Sequence, residues 1–85
     1  MMMKTYLTRW NENGVNRSAI LNVAGIRRVM RKVYVEKTVR DVVVYYLSDD
    51  MFIPPTPVRI WYDYVKDRLT LFDMRGKSFD RTEVA

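Results

Sequence analysis

Nowhere does the chain contain a cysteine or a histidine, and in 85 residues that absence decides how the fold must be held together. Neither a disulfide nor a zinc site built on thiolate or imidazole is available as a staple. A domain of this length is stable by a narrow margin, roughly 5 kcal/mol in favourable cases. Much of that margin must come from apolar side chains packed in one core. The sequence supplies them, since 48% of residues are hydrophobic and 13% aromatic, a composition at odds with disorder. A single domain over residues 1–85 is expected.

The same absence removes chemistry. Serine–histidine and cysteine–histidine nucleophile pairs each need an imidazole base. The expectation is a non-enzymatic protein with no catalytic residues, no metal and no cofactor. A carboxylate–metal nuclease would need two or three converging aspartates. Asp41, Asp49, Asp50, Asp63, Asp67 and Asp73 instead fall mostly where turns are expected, and aspartate is a standard turn residue. Met1-Met2-Met3-Lys4 is followed by no long apolar run, so no secretory signal is expected. No stretch approaches the roughly 20 apolar residues of a membrane span, which makes the cytoplasm the default compartment.

Periodicity gives the elements. Residues 3–10 alternate as a strand, with Tyr6, Thr8 and Trp10 on one face and Thr5, Leu7 and Arg9 on the other. Asn11-Glu12-Asn13-Gly14 marks a turn or loop. Asn16 or Ser18 is then placed to cap a helix over about residues 17–32. Ala19, Val23, Ile26, Met30 and Val33 form its apolar stripe, although Gly25 costs about 1 kcal/mol in a helix interior. From Val33 the pattern returns to β: residues 33–38 alternate, and Val42–Leu47 is a near-continuous apolar run of the kind seen in strands covered on both faces. These two segments are expected to form a hairpin.

Pro54-Pro55-Thr56-Pro57 fixes an extended connection that cannot donate ladder hydrogen bonds. Residues 58–72 fit two periods. As a helix, Thr56 caps it and Val58, Trp61, Val65, Leu69 and Phe72 form a stripe. The richness in β-formers, with Lys66-Asp67-Arg68 as the turn, favours two strands. Arg75-Gly76-Lys77 is a second turn, and SFDRTEVA a short edge strand or frayed tail. The fold class expected is α+β: a small single domain with one amphipathic helix packed on a four- to five-stranded antiparallel sheet.

Charge is distributed unevenly. Residues 1–40 carry nine bases and two acids, a net charge of +7, whereas residues 41–85 carry a net charge of −2. Arg27, Arg28, Arg31 and Lys32 cluster at the C-terminal end of the expected helix, opposite the apolar stripe. Such a cluster can bind several phosphates and release their counterions; the plainer reading is a solvated helix face. Trp10, Tyr34, Tyr45, Tyr46, Trp61, Tyr62 and Tyr64, interleaved with Arg9 and Arg59, offer stacking platforms if exposed and core filling if buried. Arg59 and Trp61, opposite Val58 and Ile60 on their strand, are the pair expected to be exposed.

The leading expectation is therefore a nucleic-acid-binding module using Arg27, Arg28, Arg31, Lys32, Arg9, Arg59 and Trp61. The alternative is a protein-interaction module, such as a small inhibitor or adaptor, whose basic face docks an acidic protein surface; its size is compatible with a viral or phage origin. Self-association through complementary halves or an exposed strand edge is a third reading. A membrane partner is not expected.

Overall fold

The computed structural model describes residues 3–82. One helix packs on a six-stranded antiparallel sheet, an α+β fold with one more strand than the five expected at most. The strands are β1 (Thr5–Glu12), β2 (Val15–Leu21), β3 (Val39–Leu47), β4 (Thr56–Asp63), β5 (Arg68–Phe72) and β6 (Ser78–Arg81), in the order β2-β1-β3-β4-β5-β6. The helix α1 (Val23–Arg31) joins β2 to a single π-helical turn, Lys32–Glu36.

Three sequence expectations are corrected here. Residues 17–21, expected in the helix, belong to β2. Asn13 and Gly14 take φ of 53° and 86°, the two left-handed residues of a tight hairpin turn whose twist matches the flanking strands. That turn sends Val15–Leu21 back along β1 in unbroken register, from Glu12↔Val15 to Tyr6↔Leu21. The helix is capped instead by Asn22, whose Oδ1 accepts from the Gly25 N–H at 2.9 Å. Gly25 lies in the first helical turn, where an added Cβ would stand 3.1 Å from the Leu21 Cβ. The glycine lets the helix start close against the strand that precedes it.

The second correction concerns residues 33–38, which do not pair with β3. They continue the helix as the π turn and stop at Lys37, whose φ of 60° breaks the helical path. The flank of β3 that they were expected to occupy is held by β1, from Thr5↔Leu47 to Glu12↔Val39. Nor is β3 covered on both faces: Val44 is buried, but Val43 is 45% exposed. Residues 58–72 do form two strands, paired from Arg59↔Phe72 to Asp63↔Arg68.

The core lies between helix and sheet, where Ile26 and Met30 of α1 meet Tyr6, Val44, Tyr62, Leu69 and Leu71. The sheet is strongly folded over this core. In a flat sheet β1 and β6 would lie about 19 Å apart, four strand spacings. Yet the Tyr6 hydroxyl donates to Asp80 at 2.8 Å, and Lys4 Nζ donates to the Phe79 carbonyl at 3.0 Å. Folding is possible because β3 and β4 share only three residue pairs, from Val44↔Val58 to Tyr46↔Thr56. Beyond Val44 the two strands diverge, leaving a cleft of about 410 Å³ lined by Val42, Val58, Ile60, Met30, Val33 and Tyr34.

Candidate nucleic-acid interface

Strand alternation and register sort the expected site residues onto opposite sides of the sheet. On β1, Tyr6 and Thr8 face the helix, so Leu7 and Arg9 face away. Register carries that outer face across the molecule through Arg9↔Val43, Leu7↔Tyr45, Tyr45↔Pro57, Arg59↔Phe72, Trp61↔Thr70 and Thr70↔Arg81. Arg9, Arg59 and Trp61 therefore share one face, whereas Arg27, Arg28, Arg31 and Lys32 ride on the helix behind it. The structure builds two surfaces rather than one.

The helix cluster is partly neutralised, two carboxylates standing against four cations. Arg27 and Arg31 reach the same Asp67 oxygen at 3.6 and 3.8 Å. The other oxygen of Asp67 accepts the Tyr62 hydroxyl at 2.5 Å. Burial, then this hydrogen bond, pushes the Tyr62 hydroxyl up to about 12. Arg27 and Arg31 are thus paired with a carboxylate from the second half of the chain, and the cause is the β4–β5 turn. Asp67 has a φ of 55°, a conformation aspartate tolerates because its short side chain bonds locally.

Lys32 pairs with Glu12 at 3.2 Å, and Glu12 also accepts from Trp10 Nε1 at 3.1 Å. The Trp10 and Lys32 hydrogen bonds hold the Glu12 carboxyl below the usual range. Of the four cations, only the exposed Arg28 makes no ion pair among the described residues. Solvent-exposed pairs of this kind stabilise by less than about 1 kcal/mol. Their effect is on the field, since Asp67 and Glu12 each offset one of the four positive charges that a polyanion would otherwise meet.

The outer face differs. Arg9, opposite Val43, and Arg59, opposite Phe72, are exposed, and Trp61 is 63% exposed. The same face holds exposed Arg68 and Arg81, with Tyr45 and Phe72 half-buried between. None of Arg9, Arg59, Arg68 or Arg81 has a carboxylate within 4.0 Å among the described residues. The acid across from Arg68 is Asp63, whose Oδ1 is turned to the Val65 and Lys66 N–H groups at 3.1 Å each. Sequence reading did not single out Arg68 and Arg81. The available signal was their parity with Trp61 across two hairpins, which requires the exact turn lengths.

A second aromatic group lies beside the ion-paired helix end. Tyr34 of the π turn stacks on Tyr64, with ring planes 12° apart and centroids 6.1 Å apart, and also leans on Tyr62. Tyr46 and Tyr6 are inward and pack with Phe79. The aspartates stay apart: Asp50, Asp63 and Asp73 accept from backbone N–H groups of their own turns. Among the described residues, no three acidic side chains are grouped closely enough to hold a metal ion. No described helix is long and apolar enough to cross a membrane. No protein-family model, curated protein or solved structure matches this chain.

Proposed function

We propose that the chain is a non-enzymatic module that binds single-stranded nucleic acid on the helix-free face of its sheet. In this reading Arg9, Arg59, Arg68 and Arg81 contact phosphates and Trp61 stacks on a base. The observation that carries it is a tryptophan that is 63% exposed on the same sheet face as Arg9, Arg59, Arg68 and Arg81, which have no ion-pair partner among the described residues. Guanidinium groups without carboxylate partners release counterions on meeting phosphates, and an exposed indole offers a π-face that any base can use. An acidic protein surface would suit the arginines but gives the bare indole no comparable role, so nucleic acid is favoured. The helix cluster, half its charge offset by Asp67 and Glu12, stands at the back.

Binding of fluorescein-labelled oligothymidine and oligouridine, followed by anisotropy at low ionic strength, tests this. Affinity should fall with salt on a log–log slope of about −0.7 per phosphate contacted, hence about −2 to −3 for three or four contacts. Arg59→Glu and Trp61→Ala should each weaken binding about tenfold or more, whereas Arg28→Glu should change it by less than about threefold. Absence of binding at low salt, or a loss confined to Arg28→Glu, overturns the reading.

A further inference from the structure

The two edges of the sheet are treated very differently. β6 is short, four residues with a register shift. Lys4 caps the Phe79 carbonyl, and the Asp80 side chain is held by Tyr6. β2, at the other edge, is seven residues long, pairs with β1 without a register break, and contains no lysine or proline. Natural sheets guard a long edge with such residues, with a bulge, or with a covering element. Among the described residues, no strand or helix hydrogen-bonds along the outer side of β2.

The hairpin turn decides which groups that edge presents. A two-residue turn makes Glu12 and Val15 a mutually hydrogen-bonded pair. Val15, Arg17, Ala19 and Leu21 therefore spend their backbone groups on β1, and Asn16, Ser18 and Ile20 aim theirs outward. Consistent with this alternation, the Asn13 N–H points away from β2 and reaches the Thr38 carbonyl at 3.0 Å. Three outward donor–acceptor sets sit symmetrically about Ser18, the midpoint of Val15–Leu21.

We infer that this edge docks a second copy of the chain, with the two β2 strands antiparallel about a twofold axis at Ser18. In that register the full strands overlap, and Asn16, Ser18 and Ile20 face Ile20, Ser18 and Asn16 of the second copy. Arg17 faces Ala19, and Val15 faces Leu21, so no like charges meet directly and the exposed Val15 and Ile20, at 52% and 58%, gain cover. An axis at Arg17 would oppose two guanidinium groups, which destabilises a ladder, and an axis at Ala19 would shorten it. The strand is complementary to itself in length and outward hydrogen bonding, which favours a second copy over an unrelated strand. The product is a twelve-stranded sheet closed by symmetry at its centre.

Sedimentation velocity and light scattering across protein concentration test this. The mass should rise from that of the monomer to twice that value and no further, with little change between low and high salt. Backbone amide exchange at high concentration should slow at Asn16, Ser18 and Ile20 but not at Arg17 or Ala19, which already pair with β1. Ser18→Pro removes an N–H that the monomer does not use, and proline is accepted at such edge positions; dimerisation should weaken at least about tenfold. Ile20→Lys places a cation at the edge and should do the same, and it carries the test if Ser18→Pro fails to fold by circular dichroism. A monomer at every concentration overturns the inference. So does a dimer that survives Ile20→Lys, or one abolished by salt, which would mark pairing through charge. No oligonucleotide is present in these measurements, so their outcome does not depend on the nucleic-acid reading.

Discussion

Thr8 lies on the inner face of β1 with no exposed surface, and its Oγ1 has no hydrogen-bond partner. An unsatisfied buried hydroxyl costs about 1–3 kcal/mol, and valine matches threonine in shape. Thr8→Val should therefore stabilise the protein by about 1 kcal/mol, read as a higher urea midpoint at unchanged slope. A lower midpoint would mean that the hydroxyl is bonded. Single residues were legible where strand parity alone sufficed. Arg59 and Trp61 are exposed because Val58 and Ile60, their neighbours in sequence, turn inward. The role of Asp67 was not legible, because its arginine partners come from a distant helix that only the folded sheet brings against the β4–β5 turn.

At the scale of elements, the helix owes its start to Asn22. Replacing an N-cap asparagine with alanine leaves helix amides without a partner and costs about 1 kcal/mol. Asn22→Ala should lower stability by about that amount in urea unfolding, whereas Ser18→Ala, at the cap position the sequence suggested, should change monomer stability by less than about 0.5 kcal/mol. Equal losses would return Ser18 to the role of cap. The apolar spacing from Ala19 to Met30 reads as one helix because the break at Asn22 falls between residues that both turn toward the core. Asn13-Gly14 held the deciding signal, since such a pair between two segments of similar length marks a tight hairpin. The alternation of residues 33–38 misled for another reason. Tyr34 and Val35 are 50% and 47% exposed, so the pattern there records a helical extension lying on the surface and not a half-buried strand.

Across the whole molecule, the contact between Tyr6 and Asp80 binds the two halves of the folded sheet. Burial, followed by the hydrogen bond to Asp80, raises the Tyr6 hydroxyl well above its ordinary range. Above pH about 10 the unfolded chain loses this proton and the folded chain keeps it, so unfolding gains as pH rises. The contribution is complete below that pH and disappears upward, at no more than about 1.4 kcal/mol per pH unit. Urea titrations between pH 8 and pH 11 should show stability falling through the upper part of this window, with a shallower decline in Tyr6→Phe. An unchanged decline would separate alkaline sensitivity from this residue. The α+β class and most strands were legible at this scale; the folding over was not, since nothing local announces that β3 and β4 meet along only three residue pairs. The Tyr6–Asp80 bond also spans 74 positions of the chain. Hairpins such as β1–β2 and β4–β5 close small loops early, but joining these distant strands requires a far larger loop. The aromatic cluster of Tyr6, Tyr46 and Phe79 is therefore expected to close late, after the local ladders exist.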